Sequence, residues 1–470
     1  MGRHGLGQIK KAFFWLLPFC VLAVLVRAYI FSVFDHNEHM YLAAAEGLAV
    51  GKTMYRDFAF LQMPLQPWAI WLVKTVSTSS SWLWAGKTLG WVAWFGLAIT
   101  TFLLVEKERK SWLSGSFVAL CVALHPTVLR CAMESSNYIL PAFLCLLSWW
   151  SARQGQSAMG AFGAGCFMAL ATATKLFYVA FIPLVWLNVP NRQKGWGLLG
   201  IGIGLLPALY YGLQFPEDFI FQNWTFHQLT SAWRADLDSG TGFTLAEKWE
   251  FLRQWLTHWS TGLWMVAAVW SGVQARKNLS RWHFILMWVT FSVTLFAALF
   301  PAPLFEQYML LPWLGGVFLL SQAKKFSFRL WCVLALAHLF TDPMGIMYRP
   351  FRTSYVQGTQ EIALKIKEAG ADSNWQVAGF SPIYGMEAGL NIADVWRTGI
   401  FLSRLDQRLS ADARWVRLSE INTYLEQNQP EVILTGEEGA YDHGLEAYAK
   451  AHHYQLLEGT AHMKVWMNSK

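Results

Sequence analysis

The chain has 470 residues, of which 54% are hydrophobic and 14% are charged, and this composition is too apolar for an ordinary soluble domain. Its 27 Trp and 33 Phe are typical of a membrane protein with aromatic belts at its interfaces. The net charge of +7 is spread over short turns and does not form one basic patch, which argues against nucleic-acid binding. We therefore expect a membrane protein that has no nucleic-acid partner.

The first apolar run, residues 12–30, is long enough to cross a bilayer, and without a small-residue cleavage site it is predicted to be retained. Arg3, Lys10 and Lys11 precede it and place the N-terminus in the cytoplasm by the positive-inside rule. The later runs that are predicted to cross are 82–105, 112–129, 138–152, 158–174, 176–189, 196–213, 258–275, 282–300, 304–320 and 330–345. About eleven crossings would place the C-terminus outside.

Two long polar stretches, residues 32–81 and 215–257, are predicted to be outer loops of a membrane module that spans residues 1–347. From about Tyr348 the pattern changes to helices at 359–369, 415–427 and 439–452, with strand-like runs at 375–380, 430–436, 454–457 and 462–467. Strands that alternate with amphipathic helices indicate an α/β domain. We therefore predict a polytopic α-helical membrane protein with an outer-face α/β domain at residues 348–470.

Ionisable residues are concentrated directly after the first apolar run. Asp35, His36, Asn37, Glu38 and His39 follow it within a few residues. Charged groups at the mouth of a membrane span are costly to place and are a functional hypothesis by default. The simpler alternative is that they only end the first span in water.

The whole stretch also has a recognisable order of residues. An acidic pair, Asp35 and Glu38, is followed by Tyr41 and by a small-residue helix that ends in a glycine, residues 43–51. Next come a Tyr-x-Asp-Phe segment, residues 55–58, and a Pro-Leu before an aromatic residue, which are Pro64, Leu65 and Trp68. This order resembles the first outer loop of the GT-C integral-membrane glycosyltransferases, in their protein-mannosyltransferase-like and aminoarabinose-transferase-like members. Many members have adjacent Asp and Glu, where this chain has Asn37 and Glu38.

The resemblance extends more weakly to residues 129–137, 174–178, 219–227 and 305–312. It implies a hexosyl- or pentosyltransferase that moves a sugar from a polyprenyl-phosphate donor to a lipid, glycan or protein acceptor. It further implies inversion at the sugar, no cofactor, and a location in the bacterial inner membrane with the C-terminal domain in the periplasm.

Such a reaction requires a carboxylate that takes the acceptor's proton and cations that bind the leaving phosphate. The candidate bases are Asp35, Glu38 and Asp57, and Asp35 is favoured because it is nearest the end of the span and has a short side chain. The candidate phosphate-binding and pocket residues are Arg130, Lys175, His227, Arg234, Tyr41 and Tyr308. Each cation also has a purely structural interpretation, such as an interface residue or a helix break.

Three alternatives remain at this point. His36 and His39 lie one helical turn apart and, with a neighbouring carboxylate, could hold a divalent metal. A transporter or lipid flippase could use Asp35 and Glu38 for proton coupling, although such proteins usually have repeated halves and midplane charges. A phosphoryl- or phosphoethanolamine-type transferase would need a threonine nucleophile and a metal cluster, and the sequence indicates neither.

Overall fold

The computed structural model describes residues 21–77, 79–109, 112–154, 157–237, 242–277, 279–321, 355–410, 412–457 and 463–468. The helices of the N-terminal part are α1 Val21–Ser32, α2 Glu38–Ala49, α3 Leu65–Val76, α4 Trp82–Arg109, α5 Trp112–Leu124, α6 Pro126–Met133, α7 Ile139–Ala152, α8 Ala158–Thr174, α9 Ile182–Asn188 and α10 Lys194–Gln214. They continue with α11 Pro216–Ile220, α12 Phe226–Asp236, α13 Leu245–Thr257, α14 Trp259–Ala275, α15 Arg281–Leu299 and α16 Leu310–Ser321. A 3₁₀ segment, Leu176–Phe181, precedes α9, and another, Glu306–Met309, precedes α16.

Within the described residues, three helices are long and apolar enough to cross a membrane. They are Trp82–Lys107, Asn191–Gln214 and Arg281–Leu299, and a fourth is added if α5 and α6 form one span. Four shorter helical segments are also apolar: Val21–Ser32, Ile139–Ala152, Ala158–Thr174 and Leu176–Asn188. The total of about eleven crossings stays a prediction, and the predicted span at 330–345 lies outside the described residues, as do residues 12–20 of the first one.

The predicted span at 112–129 is not one straight helix, because α5 and α6 meet at an angle of 59°. Pro126 begins α6 and provides no backbone N–H, and a residue before proline is held out of the helical region. His125 is accordingly extended, and its Nδ1 accepts a hydrogen bond from the N–H of Thr127 at 3.3 Å. The bend places the end of α6, where Glu134 follows, beside the first loop.

The predicted break at Lys175 is present. Helix α8 ends at Thr174, Lys175 is extended, and the 3₁₀ segment begins at Leu176. Helix α8 packs closely on α10, where a Cβ on Gly165 would lie 2.0 Å from the carbonyl oxygen of Gly197. Only glycine allows the two helices to approach this closely.

The C-terminal part contains helices α17 Tyr355–Glu368, α18 Ile383–Ala388, α19 Ile400–Ser403, α20 Ile421–Asn428 and α21 His443–Ala451. Its strands are β1 Gln376–Ala378, β2 Asn391–Ile392, β3 Val432–Thr435, β4 Gln455–Leu457 and β5 Lys464–Met467. The sheet order is β2-β1-β3-β5-β4, with β1 parallel to β2 and β3, and β5 antiparallel to β3 and β4. All four residues of β3 are buried, as expected for a central strand covered on both faces.

The C-terminal part contacts the first outer loop through hydrogen bonds and ion pairs. The guanidinium of Arg397, which is 1% exposed, donates to the carbonyl oxygens of Ala43 and Ile392 at 2.9 and 3.1 Å and forms an ion pair with Glu46. Lys52 of the loop pairs with Asp394 at 2.6 Å. These contacts hold α2 between the helical part and the sheet.

Candidate active site

Asp35 lies in the turn that joins α1 to α2, and the turn itself orients its carboxylate. Its Oδ1 accepts hydrogen bonds from the N–H and the side-chain amide of Asn37, at 2.9 and 2.5 Å. Its carbonyl oxygen accepts from the N–H of Glu38 at 2.9 Å. The Asp35 side chain is 23% exposed, so one carboxylate of the first loop is held in place and still accessible.

Glu38 has a different environment although it is only three residues away. Its Oε1 lies 2.6 Å from Nζ of Lys87 on α4, and neither side chain has any exposure. Oε1 also accepts from the N–H of Asp35 at 3.0 Å, and Lys87 donates to the carbonyl oxygen of Met133 at 2.6 Å. Glu38 therefore ties together the first loop, α4 and the end of α6.

Glu134, which the sequence did not single out, joins these residues. It follows α6 directly and is 1% exposed; its Oε1 accepts from Nε2 of Gln307 at 2.7 Å and its Oε2 from Oγ of Ser136 at 3.0 Å. Burial, and next the charge of Asp35, raise the pKa of Glu134. The available signal was a carboxylate at the end of an apolar run, in the segment 129–137 that resembles the family.

Lys175 is held by aromatic rings and an amide. Its Nζ lies 3.6 Å from the ring centroid of Tyr138 and 5.4 Å from that of Tyr308, and it donates to Oδ1 of Asn137 at 3.2 Å. The side chain is 7% exposed. Burial lowers the pKa of Lys175 to about 7, while the nearby Cys131 and Glu134 oppose this shift. The charged form is stabilised by the quadrupoles of the aromatic rings that it faces.

Two predicted tyrosines complete what we call the central cluster: Asp35, Glu38, Tyr41, Glu134, Lys175 and Tyr308. Tyr41 is 3% exposed and packs edge-on against Phe60, with ring centroids 5.8 Å apart. Burial and then the charge of Glu134 raise the pKa of Tyr41 well above its ordinary value. The cluster residues adjoin helix ends that the predicted topology places at the outer face.

Two other predicted residues form pairs outside this cluster. Asp57 accepts from Nε and Nη2 of Arg56 at 2.7 and 2.9 Å and from the N–H of Thr53 at 2.7 Å, and the hydrogen bond from Arg56 lowers its pKa. Arg130 pairs with Glu306 at 2.9 Å, with both side chains about half exposed. Neither arrangement places the side chain among the cluster carboxylates.

The remaining predicted residues lie on α12. Nε2 of His227 donates a hydrogen bond to the carbonyl oxygen of Leu61 at 3.1 Å. Arg234 places its guanidinium carbon 5.7 Å from the ring centroid of Phe305, and its charge acts on Tyr308 of the central cluster. Helix α12 therefore brings Arg234 towards the cluster from the second outer stretch.

The two histidines that were considered for a metal site have separate partners. Nε2 of His39 lies 2.9 Å from Oε2 of Glu437, whereas the ring of His36 stacks on Phe401 with centroids 5.6 Å apart. In the part of the chain that the structure describes, no three His, Cys, Asp or Glu side chains are grouped as metal ligands.

Solved structures of membrane enzymes resemble this chain over nearly its whole length. ArnT from Cupriavidus metallidurans bound to undecaprenyl phosphate superposes with a TM-score of 0.67 at 11% identity, covering 97% of this chain and 98% of that one, and its apo form gives 0.60 with the same coverage. The Archaeoglobus fulgidus oligosaccharyltransferase tethered with an acceptor peptide gives 0.50 at 11% identity, covering 97% and 74%.

No protein-family model matches the sequence, and no curated protein sequence is significantly similar to it. At 11% identity these similarities establish the fold but not the activity. The fold is the one predicted from the order of residues in the first outer loop. ArnT and the oligosaccharyltransferase are both GT-C glycosyltransferases. The chain therefore has the fold of the GT-C integral-membrane glycosyltransferases.

Proposed function

We propose that this protein is an inverting membrane glycosyltransferase that moves a sugar from a polyprenyl-phosphate carrier to an acceptor at the outer face of the cytoplasmic membrane. The observation that carries the proposal is that an accessible carboxylate, Asp35, and a buried lysine, Lys175, both lie near the buried Glu134, at helix ends. The fold supports it, because one structural neighbour was crystallised with undecaprenyl phosphate.

In the proposed step Asp35 is the general base. The acceptor hydroxyl gives its proton to the Asp35 carboxylate while its oxygen bonds to the sugar C1. The bond from C1 to the phosphate oxygen breaks on the opposite side, and its electron pair stays on the phosphate. The hydrogen bonds from Asn37 hold the base in one orientation, which reduces the entropic cost of reaching the acceptor.

Glu38 is less suited to be the base because its carboxylate is neutralised and enclosed. The Lys87 ammonium occupies Oε1, and both side chains are fully buried. Complete burial also prevents an acceptor hydroxyl from reaching this carboxylate. We propose that Glu38 instead holds the turn that carries Asp35, through the hydrogen bond from the Asp35 N–H.

Lys175 is the best placed of the predicted cations to stabilise the leaving phosphate. Lys175 has one hydrogen-bond partner, the neutral side chain of Asn137, and it faces two aromatic rings. A phosphate could therefore bind to its ammonium group without displacing a carboxylate. Arg234 lies over Phe305, whose ring centroid is 5.6 Å from that of Tyr308, the ring beside Lys175. Two cations around one phosphate would offset the charge that develops in the transition state.

The decisive experiment is a transfer assay with purified protein in lipid nanodiscs and a panel of hexosyl and pentosyl polyprenyl phosphates. Mass spectrometry of lipid, glycan and peptide acceptors should identify a product whose anomeric configuration is inverted, and EDTA should leave the rate unchanged. Movement of lipid-linked sugar across a vesicle bilayer without any product would instead favour the transporter or flippase alternative.

A further inference from the structure

Arg404 is a cation at the junction of the C-terminal part and the second outer stretch, and the sequence patterns did not mark it. It caps α19, and its guanidinium carbon lies 4.9 Å from the ring centroid of Phe401 and 5.4 Å from that of Trp233 on α12. Among the residues that the structure describes, Arg404 forms no ion pair, and its buried Nε has no hydrogen-bond partner. Arg404 as a whole is only partly buried, but a buried N–H without a hydrogen-bond partner is costly and needs an explanation.

A second arginine lies on the helix against which Arg404 packs. Arg234 follows Trp233 directly on α12 and packs against Phe305. Burial, and next the charge of Arg234, lower the pKa of Arg404 to about 10. The charge of Glu438 raises the pKa of Arg404 slightly, but the two side chains are too far apart for an ion pair. Burial raises the pKa of Glu438 itself to about 7. Arg404 packs over Trp233, and Arg234 is the next residue of the same helix, so both guanidinium groups come from one junction.

The arginine pair lies next to the proposed base. The ring of His36 stacks on Phe401, and the charges of both Arg404 and Arg234 act on His36. His36 Nδ1 is 3.8 Å from Oδ1 of Asp35, the accessible carboxylate of the central cluster. Arg404 therefore adjoins the central cluster through Phe401 and His36.

We propose that Arg234 and Arg404 together bind a phosphate group of a substrate beside Asp35, so that the C-terminal part contributes a binding residue to the transfer site. The inference rests on the proposed function, since the ligand would be a substrate of that reaction. Guanidinium groups match phosphate oxygens with two parallel hydrogen bonds, and the aromatic walls of Phe401, Trp233 and Phe305 orient the two groups. Arg404 would thus be a substrate-binding residue.

The phosphate could belong to the polyprenyl donor or to another substrate, and two binding measurements distinguish them. The first titrates full-length protein in nanodiscs with undecaprenyl phosphate. The second titrates inorganic phosphate after undecaprenyl phosphate has saturated its site. Each is carried out on the wild type, on Arg404→Gln, Arg404→Lys and Arg234→Gln, and on the control Arg408→Gln. Arg408 joins the same two parts of the chain but is already paired with Asp236.

We expect Arg404→Gln and Arg234→Gln to lower the affinity for one of the two probes by about 10-fold or more, the usual effect of losing a hydrogen bond to a charged group. Arg404→Lys should retain part of that affinity, and Arg408→Gln should change neither. A loss with undecaprenyl phosphate assigns the donor phosphate, and a loss with inorganic phosphate alone assigns another substrate.

The inference is overturned if both probes bind Arg404→Gln and Arg234→Gln as they bind the wild type, or if Arg408→Gln weakens binding equally. Should Arg404→Gln unfold, Arg234→Gln alone decides. If the wild type does not bind undecaprenyl phosphate but binds inorganic phosphate in an Arg404-dependent way, the proposed function fails and the anion site stands.

Discussion

Glu38 and Lys87 form an ion pair with 2.6 Å between Oε1 and Nζ, and neither side chain is exposed to solvent. Glu38 belongs to the first outer loop and Lys87 to α4, and the two residues are 49 positions apart in the chain. Lys87 also donates to the carbonyl oxygen of Met133, at the end of α6. The pair therefore fixes the first loop against two helices beneath the candidate active site.

Breaking this pair from one side should destabilise the protein. Glu38→Gln and Lys87→Met should each lower the melting temperature in detergent, since removing one partner of a buried pair costs about 3–5 kcal/mol. The double variant should recover part of the loss because it leaves no unpaired buried charge. Equal stability of the wild type and both single variants would show that the pair is not structural.

Asp35→Asn should fold as the wild type does and lose activity. Asparagine keeps Oδ1 as the acceptor for the hydrogen bonds from Asn37, but it cannot take a proton. We expect turnover to fall roughly 100-fold or more, within the range of general-base catalysis. The matched control is Asp57→Asn, which removes a first-loop carboxylate that is paired with Arg56 and should leave turnover nearly unchanged. Full activity in Asp35→Asn would refute the proposed mechanism.

Lys175→Met should weaken use of the lipid-phosphate donor. Methionine retains an apolar side chain between Tyr138 and Tyr308 but lacks the ammonium. We expect kcat/KM for the donor to fall by about 10- to 100-fold, which corresponds to a hydrogen bond to a charged group. Arg130→Gln is the comparison, since Arg130 is half exposed and paired with Glu306, and its effect should be small. The reverse order of effects would move the phosphate site towards Arg130.

Glu437→Gln should loosen the contact between the C-terminal part and α2. Burial opposes ionisation of Glu437, but the hydrogen bonds from His39, Tyr355 and Tyr384 outweigh it and lower the pKa of Glu437 to about 2. Because the folded-state pKa is depressed, this stabilisation is present above about pH 4.5 and is lost as the pH falls towards 2. The variant should therefore melt below the wild type at pH 7, by a difference that shrinks on acidification.

The neighbouring Glu438 supplies a control with the opposite sign. Burial raises the pKa of Glu438 to about 7, so its ionised form disfavours the folded state. Glu438→Gln should gain stability relative to the wild type as the pH rises from about 4.5 through 7. If Glu437→Gln and Glu438→Gln respond to pH in the same way, the two buried environments do not differ as described.

The charge distribution also predicts the topology. Reporter fusions after Lys470 should be active in the periplasm, and fusions after Lys325 should be active in the cytoplasm, because Lys and Arg are concentrated in the turns that are predicted to be inside. Enzymatic reporters that function on only one side of the membrane make this measurement. A cytoplasmic C-terminus would place the C-terminal part, and with it Arg404, on the wrong side for the proposed reaction.

Local patterns were sufficient for most elements of the fold. The apolar runs predicted α4, α7, α8, α10 and α15 within a few residues, since helix formation in a membrane depends on the run itself. Lys175 marked the break after α8, and the alternation of short strands and helices predicted β1, β3, β4 and β5. The bend at Pro126 and the two-residue strand β2 were missed, because each depends on one residue or on a neighbouring strand.

The sequence by itself determined that carboxylates follow the first span, but it could not rank Asp35, Glu38 and Asp57 by their environment. Only the tertiary structure buried Glu38 against Lys87, left Asp35 accessible, and added Glu134 and Arg404 from distant segments. The physical reason is that the free energy of an ionised group depends on desolvation and on nearby charges, and both are fixed by residues that meet only when the chain folds.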